Sequence, residues 1–434
     1  MYHVQCTNYS YFGHLKSLQL MRTILLVSSL LFPLLLGAQD AKEILGKSLQ
    51  AVNSLEQASY HIEIMQTNLL SGDTNRYSAD CLLKRVPQDT ILKMYYFFST
   101  GNSGFSKYNG NAYYTYAPEY YNFVFRYTVN EHPEKFRAVR QPNGISTPEA
   151  ASGIYYSYSL LKSGTEITSM LDDIPGGKPK SGIIITVIGD TLVDGVKCYG
   201  FRTTRKKSNF ISHKLILLDQ ENLLPVAVIK DFKGNAINTS KESISLGQFS
   251  IVKYSKVKET LPRFDHLMSD KSLPKKVEVT DHLPFTEPFK IGDHAPAWQL
   301  PEINTGKLLS SDSLAGKIII LDFTSTWCIH CAEGAQAVKD LYKNYNNIRD
   351  MMFINIFSCS TDTREKVLKY LSSHSTEGIN LINAAGIEKT WGILGYPNFF
   401  LLDRHGRIAY FQRGYSPDLL RSLARQIDDC LGKP

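Results

Sequence analysis

The chain has 434 residues, of which 43% are hydrophobic and 21% are charged, as in an ordinary globular protein of two or three domains. Its formal net charge of +7 is spread along the chain in short basic clusters such as Arg205, Lys206 and Lys207. Such clusters are typical of a solvated surface, so we expect no nucleic-acid partner.

A signal-peptide pattern lies close to the start of the chain. Arg22 precedes an apolar run from Ile24 to Leu36, and two small residues follow that run. The run is shorter than the roughly 20 residues that a membrane-spanning helix needs. We therefore expect translation to start at Met21, residues 1–38 to be a signal peptide, and the mature protein to be periplasmic or otherwise exported. Retention of the segment as a membrane anchor is the alternative.

The cysteines that follow this segment are Cys81, Cys198, Cys328, Cys331, Cys359 and Cys430. Isolated cysteines can pair in an oxidising compartment, and a disulfide between Cys81 and Cys198 is one option. The other option is that the four isolated cysteines are small buried apolar residues. Spacing alone does not decide between the two.

A helix and then a series of strands are predicted over residues 39–260. Asp40 and Glu43 have the spacing of a capping box, which predicts a helix start. One face of that helix would carry Ile44, Leu45, Ser48, Leu49, Val52 and Leu55. Apolar and polar residues then alternate over residues 60–67, as in a half-buried strand.

Runs of strand-forming residues continue as far as Tyr254, with turn signals such as Asn109-Gly110 and Asp194-Gly195 between them. Strands in sequence with short turns predict a largely antiparallel, curved sheet with one helix. In its element order and in the stretch "IGDTLVDGVKCYGF", the region 40–255 resembles the LolA-like half-barrel of exported bacterial proteins.

Tyrosine is frequent over residues 95–121 of this region. One interpretation is a face that binds an apolar ligand. The other is that amphipathic aromatic rings pack well in strands with one wet face. Both interpretations stay open at the level of the sequence.

Residues 261–289 are interpreted as an extended linker. Pro262, Pro274, Pro284 and Pro288 lie there among charged residues, and such a composition favours an extended chain between two domains.

An α/β pattern begins at Lys290. The apolar run from Ile318 to Leu321 is typical of a strand inside a parallel sheet that is covered on both faces. A helix, a strand, a helix, a strand hairpin and a final helix follow in the pattern. The order β, α, β, α, β, β, α predicts an α/β domain with a mixed sheet over residues 290–434. The chain as a whole is expected to join an α+β domain to an α/β domain.

Residues 290–434 resemble the thioredoxin-like domains of the TlpA/ResA type, a family of exported disulfide reductases. The motifs that carry the resemblance are "GDHAP" at 292–296, "LAGKIIILDF" at 314–323, "WCIHC" at 327–331 and "GILGYPNFFLLDRHGRI" at 392–408. Several separate motifs in this order make the resemblance specific to that family.

The candidate redox pair is Cys328 and Cys331. Cys328 lies where a predicted strand gives way to a helix, so unpaired N–H groups and the helix dipole favour its thiolate, which is the attacking species. Cys331 lies one turn later and is placed to attack a mixed disulfide formed at Cys328. His330, when protonated, would add positive charge beside the thiolate and make the couple more oxidising.

Asp322 is a candidate proton carrier. It lies at the end of the apolar strand, where burial is expected to raise its pKa so that it can exchange protons with Cys331; the alternative is a solvated residue at a strand end. The resemblance implies the same role for Asp322. It also implies that Trp327 shapes substrate access, and that Tyr396 and Pro397 form a cis-proline loop that faces the dithiol and binds the substrate peptide.

The sequence departs from the family at three positions. Many relatives have glutamate three residues and proline five residues after the second cysteine, whereas this chain has Gly334 and Gln336. Glu333 comes one position early, so we expect it to point along another face of the helix. Asn398 stands where threonine is common after the cis-proline.

Other uses of a cysteine pair have weaker support. A structural zinc site usually needs a second close pair of ligands, and attached haem needs a histidine where Ala332 stands. A peroxidatic cysteine would follow proline and threonine at the places that Leu321 and Ser325 occupy. We therefore expect neither a metal nor another cofactor.

The leading hypothesis is an exported thiol–disulfide oxidoreductase that reduces protein disulfides through Cys328 and Cys331. Its partners would be disulfide-bonded protein substrates and, as the family resemblance implies, a membrane thiol relay that supplies electrons. The alternatives are net thiol oxidation or isomerisation, which His330 favours, and a carrier or sensor of an apolar ligand with an attached redox domain.

Overall fold

The structure is a computed structural model. It describes residues 38–67, 74–118, 123–136, 138–140, 146–148, 154–174, 183–237, 243–281, 289–358, 362–373, 376–382, 386–393, 395–416 and 418–432. The expected signal peptide therefore lies almost wholly outside the described residues, as does Cys359. No helix in the described part of the chain is long and apolar enough to cross a membrane.

The helices of the described residues are α1 (Ala38–Ser54), α2 (Pro133–Phe136), α3 (Ile154–Ser157), α4 (Ser163–Leu171), α5 (Phe264–Met268), α6 (Ile329–Tyr345), α7 (Arg364–Ser373), α8 (Ile387–Thr390) and α9 (Leu419–Leu431). The helices α1 to α5 precede the redox motif, α6 begins within it, and α7 to α9 follow it.

The strands that precede residue 290 are β1 (Gln57–Thr67), β2 (Thr74–Arg85), β3 (Met94–Thr100), β4 (Phe105–Tyr108), β5 (Ala112–Tyr116), β6 (Phe123–Thr128), β7 (Ala138–Arg140), β8 (Ser146–Pro148), β9 (Ile183–Val193), β10 (Val196–Lys206), β11 (Phe210–Asp219), β12 (Pro225–Ile237), β13 (Ser243–Lys258) and β14 (Glu278–Thr280). Those that follow are β15 (Gln299–Pro301), β16 (Leu308–Ser310), β17 (Ile318–Thr324), β18 (Met351–Phe357), β19 (Ile379–Leu381), β20 (Asn398–Leu402) and β21 (Ile408–Arg413).

The N-terminal part is built on one 12-stranded sheet in the order β14-β6-β5-β4-β3-β2-β1-β13-β12-β11-β10-β9. Neighbouring strands are antiparallel, except that β14 runs parallel to β6. Tyr60, Ile62 and Ile64 of β1 are buried, as their alternation predicts. The long antiparallel sheet was therefore predictable from period-two patterning and turn residues, whereas its likeness to LolA stays a prediction.

The helices α1 and α4 cover one face of this sheet. Leu45 and Val52 of α1 and Ile167 of α4 share a buried cluster with Ile216 and Leu218 of β11. The expected apolar face of α1 is thus confirmed, but the capping box is wrong. The chain is already helical at Ala38, so the Glu43 side chain does not cap the helix and instead accepts a hydrogen bond from Lys47 at 2.6 Å.

The prediction that residues 261–289 form an extended linker is wrong for most of the segment. Residues 264–280 form α5 and β14 and pack on the sheet. Lys107 of β4 holds this segment against the sheet. Its side chain is buried, and its ammonium donates hydrogen bonds to the carbonyl oxygens of Leu267 and Ser269 at 3.0 and 2.8 Å. Burial lowers the pKa of Lys107 to about 8. The physical reason for the difference is that a buried cation needs acceptors, and this segment supplies them.

The C-terminal part is a five-stranded mixed sheet in the order β19-β18-β17-β20-β21. The strands β17, β18 and β19 are parallel, and β20 and β21 are antiparallel to their neighbours. Ile318 and Ile320 of β17 pack with α6 and α9 on one face, and Ile319, Leu321 and Phe323 pack on the other. A strand buried on both faces explains the continuous apolar run, and the predicted α/β domain is confirmed.

Cys81 and Cys198 do not form a disulfide with each other. Both are free and buried, and they belong to separate apolar clusters, that of Cys81 with α1 and that of Cys198 with Leu215 and Leu217. Burial raises the pKa of Cys198 to about 11. Both therefore behave as small apolar residues, and Cys430 is free as well.

Candidate active site

Cys328 and Cys331 lie at the start of α6, directly beyond the end of β17. Cys328 is the N-cap residue of α6, and its sulfur accepts a hydrogen bond from the backbone N–H of Cys331 at 3.1 Å. The two sulfurs form a disulfide. Cys328 keeps 6% of its surface exposed and Cys331 only 1%, so Cys328 is the more accessible of the two. The position of Cys328 at the start of a helix was predictable from the sequence, because a buried strand precedes the motif and helical periodicity follows it.

Asp322 is buried in the middle of the sheet. Its neighbours across the sheet are Asn355 in β18 and Phe399 in β20, and no described residue donates a hydrogen bond to its Oδ1 atom. Burial raises the pKa of Asp322 from 3.8 to about 8. The carboxyl is therefore mostly protonated at neutral pH, and the alternative of a solvated strand-end residue does not agree with this geometry.

His330 and Glu333 form an exposed pair on the first turn of α6. The Nδ1 atom of His330 lies 2.8 Å from Oε2 of Glu333. As expected, Glu333 points away from the sheet and is exposed. The contact with His330 was not expected from the sequence. A carboxylate beside the imidazole offsets the positive charge that His330 would otherwise bring to the dithiol. Since both side chains are exposed, the effect is small.

Trp327 and Tyr396 form an aromatic wall beside the dithiol. Their ring centroids are 6.1 Å apart in an edge-to-face arrangement, and Trp327 is 41% exposed. The Tyr396 hydroxyl donates a hydrogen bond to the carboxylate of Glu388 in α8. The peptide bond between Tyr396 and Pro397 is cis, as the family resemblance implies. The structure therefore brings the predicted cis-proline loop next to the tryptophan of the redox motif.

Asp362 is a residue of the site that the sequence did not reveal. Its buried carboxylate accepts hydrogen bonds from the backbone N–H of Thr326 at 3.1 Å and from the Thr326 hydroxyl at 2.6 Å. Burial raises the pKa of Asp362. Burial also raises the pKa of Tyr370 to about 12, with further contributions from the charges of Asp322 and Asp362. Asp362 thus ties the turn before Cys328 to the start of α7.

The departures from the family have structural reasons. A Cβ at Gly334 would lie 2.5 Å from the ring of Phe399, so glycine lets α6 approach β20 closely. Gln336 donates a hydrogen bond to Asp340 at 3.2 Å, and α6 continues as one helix from Ile329 to Tyr345 where relatives have proline. The buried Asn398 donates a hydrogen bond to the carbonyl oxygen of Gly395, which closes the cis-proline loop.

Comparison with known proteins agrees with this arrangement. Residues 291–411 match the model of the AhpC/TSA family. The chain is similar to the thioredoxin-like protein YneN of Bacillus subtilis (strain 168), with 26% identity over 117 residues, which are 27% of this chain and 68% of that protein. It is also similar to the thiol-disulfide oxidoreductase ResA of Bacillus thuringiensis subsp. konkukian (strain 97-27), with 27% identity over 123 residues, 28% of this chain and 69% of that protein.

Among solved structures, a thiol:disulfide interchange protein of the thioredoxin family from Chlorobium tepidum TLS aligns with a TM-score of 0.29 and 21% identity, over 33% of this chain and 99% of that one. The region matched by the family model lies within the C-terminal domain. On its sequence motifs, its mixed five-stranded sheet and the matching family model, the C-terminal part of this chain is a thioredoxin-like domain, and it is similar in sequence to thiol–disulfide oxidoreductases.

Proposed function

We propose that the protein is an exported thiol–disulfide oxidoreductase that reduces protein disulfides, with Cys328 as nucleophile and Cys331 as resolving thiol. The observation that carries the proposal is the position of the Cys328 sulfur at the helix N-cap, where it accepts the N–H of Cys331. Free N–H groups and the helix dipole stabilise a thiolate at that point. The greater burial of Cys331 supports its role in the second step.

In the first step the Cys328 thiolate attacks one sulfur of a substrate disulfide. The substrate S–S bond breaks, a mixed disulfide forms at Cys328, and the second substrate sulfur leaves as a thiolate that takes up a proton. Cys331 then loses its proton and attacks the Cys328 sulfur, which forms the internal disulfide and releases the first substrate sulfur as a thiol. The substrate gains two electrons, and a membrane thiol relay would return two electrons to the enzyme.

Asp322 is the proposed proton acceptor for Cys331. Its pKa of about 8 lies close to the ordinary thiol value of about 8.5, so a proton can move between the two groups in either direction near neutral pH. Trp327 and Tyr396 would line the path of the substrate peptide, and Pro397 would fix the loop that offers it backbone groups. Asp362 would act as a positioning residue through Thr326.

The export part of the proposal rests on the apolar run from Ile24 to Leu36 and the basic residue before it. Export also fits a dithiol enzyme whose substrates carry disulfides, because disulfides persist in oxidising compartments. Net oxidation or isomerisation is the nearest alternative. The Glu333 carboxylate beside His330 gives a small preference for reduction, since it offsets part of the charge that would stabilise the reduced form.

Reduction of insulin tests the assignment of the two cysteines. We expect Cys328→Ser to abolish activity, Cys331→Ser to accumulate a mixed disulfide with the substrate, and the control Cys430→Ser to retain activity. Full activity of Cys328→Ser would contradict the site. Equilibration with glutathione buffers tests the direction, and a potential near that of DsbA, about −120 mV, would contradict net reduction.

A ligand carrier built on the tyrosine-rich strands is the second candidate. Tyr96 and Tyr108 are buried, and Tyr96 stacks on Phe98 with ring centroids 4.5 Å apart. These contacts favour packing of the rings within the core over an open binding face. Native mass spectrometry tests the carrier hypothesis, and the absence of co-purified lipid in repeated preparations would count against it.

A further inference from the structure

The N-terminal sheet carries a cavity on the face that α1 and α4 do not cover, which we call the outer face. Along β11 the side chains alternate: Ile216 and Leu218 join the cluster of the helices, and Leu215 and Leu217 point to the outer face. The cavity measures ≈ 140 Å³. Aliphatic side chains make up most of its wall, namely Ile188, Leu215, Leu217, Ile229 and Ile251.

The cavity reaches the surface at the turn between β9 and β10. Leu192, close to the end of β9, lines the cavity and is 65% exposed. Asp194, two residues further on, accepts a hydrogen bond from the ammonium of Lys253 at 2.7 Å, and both of these residues also line the cavity. The charge of Lys253 is therefore already matched by a carboxylate.

Arg202 is the other cation in the wall of the cavity. Its Nη2 atom is buried, and no described residue accepts a hydrogen bond from it. A buried donor without an acceptor is costly, and more so when it is charged. Arg205, three residues later on the opposite face of β10, shows the usual solution: its guanidinium binds both oxygens of Asp173 at 2.6 to 3.1 Å.

We propose that this cavity binds a short aliphatic carboxylate, with the alkyl chain against the aliphatic wall and the carboxylate on the guanidinium of Arg202. Arginine binds carboxylates through two parallel hydrogen bonds, which would give Nη2 its acceptor. A single negative charge balances the single unmatched cation. A phosphate, with a charge of about −1.5 to −2, would leave charge uncompensated in an apolar wall.

The volume indicates how long a chain the cavity can bury. A cavity of about 150 Å³ with an apolar wall accommodates a molecule of the size of benzene, which has six carbons. The cavity beside Arg202, at ≈ 140 Å³, therefore fits a chain of about six carbons, and hexanoate is the probe. This site is separate from the dithiol, and the proposal holds whichever direction the redox reaction takes.

Isothermal titration calorimetry of the oxidised full-length protein with hexanoate tests the proposal. We expect saturable binding, and binding of hexan-1-ol that is at least about tenfold weaker, since the alcohol has the chain without the charge. Arg202→Gln should weaken hexanoate binding by at least about tenfold, which corresponds to about 1.4 kcal/mol. Lys206→Gln, which removes an exposed charge from the same strand, should leave it unchanged.

Circular dichroism checks whether Arg202→Gln folds. A second pair of variants tests the proposal without relying on that substitution. Leu192→Asp places a carboxylate at the exposed edge of the cavity and should repel hexanoate, whereas its neutral isostere Leu192→Asn should bind more tightly than Leu192→Asp. If Arg202→Gln does not fold, the comparison of Leu192→Asp with Leu192→Asn tests the proposal in its place. The proposal is overturned by an absence of saturable binding to the wild type, by equal affinities for hexanoate and hexan-1-ol, or by unchanged binding in the deciding variant.

Discussion

The buried carboxyl of Asp322 makes the stability of the C-terminal domain depend on pH. Burial raises the pKa of Asp322 from 3.8 in the unfolded chain to about 8 in the folded domain. Between these values the folded state holds a proton that the unfolded state has lost, so the free energy of unfolding falls as the pH rises. The slope is about 1.4 kcal/mol per pH unit, which gives a loss of about 3 kcal/mol between pH 5 and pH 7.

The substitution Asp322→Asn removes this proton and keeps the shape of the side chain. We expect the stability of the variant relative to the wild type to be greater at pH 7 than at pH 5 by about 3 kcal/mol. Above the folded pKa of about 8 the difference should level off, because both states of the wild type are then ionised. Other titratable groups are the same in both proteins, so their contributions to the free energy of unfolding cancel in this comparison.

Urea unfolding followed by tryptophan fluorescence measures this difference. The chain's three tryptophans, Trp298, Trp327 and Trp391, all belong to the C-terminal domain, so their signal reports on that domain alone. Both proteins are kept oxidised, so that the titration of the two thiols does not contribute. Parallel stability curves from pH 5 to pH 8 would refute the assignment of a raised pKa to Asp322.

Three further substitutions test the surroundings of the dithiol. Thr326→Val removes the hydroxyl that binds Asp362, and we expect a stability loss of about 1–3 kcal/mol and slower insulin reduction at temperatures where the variant is folded. Glu333→Gln removes the carboxylate beside His330, and we expect the redox potential in glutathione buffers to rise by less than about 30 mV. Gly334→Ala puts a methyl group against a ring of β20, and we expect urea unfolding to show a loss of about 1–3 kcal/mol.

The first and third substitutions have matched controls, and the second has an outcome that would contradict it. Thr326→Ser keeps the hydroxyl and should retain the rate of insulin reduction, and a rate as low as that of the valine variant would argue against positioning through Asp362. A lowered potential in Glu333→Gln would contradict the charge argument. Gly46→Ala in α1 adds a methyl group with nothing within 4 Å and should stabilise the protein by about 1 kcal/mol, in contrast to the loss at Gly334.

The parts of the fold that follow from local pattern were predictable. The alternation around Ile62 and the continuous apolar run of β17 each report a burial state that one strand imposes on its own residues. The redox motif is equally local, since the strand end, the two cysteines and the helix start lie within a few residues. Asp322 was predictable for the same reason, because it belongs to the strand whose burial raises its pKa.

Contacts between distant segments were not predictable. Asp362 meets Thr326 across 36 residues of sequence, and an aspartate before a helix looks like an ordinary cap until the two segments are placed together. Lys107 lies 160 residues from its acceptor at Leu267, so the segment 264–280, with six charged residues and Pro274, resembles a linker. In both cases the burial of a charge decides the structure, and the residue that satisfies it comes from another part of the fold.

The position of the glutamate near the dithiol shows how one residue of displacement changes the chemistry. Successive residues of an α-helix are about 100° apart around its axis, at 3.6 residues per turn. Position 334 faces β20, where the ring of Phe399 leaves no room for a Cβ, so a carboxylate there would be held between helix and sheet. Position 333 is turned toward solvent, and its carboxylate reaches His330 one turn earlier instead. The carboxylate of Glu333 thus lies on the outer side of the helix, where it acts on the histidine between the two cysteines.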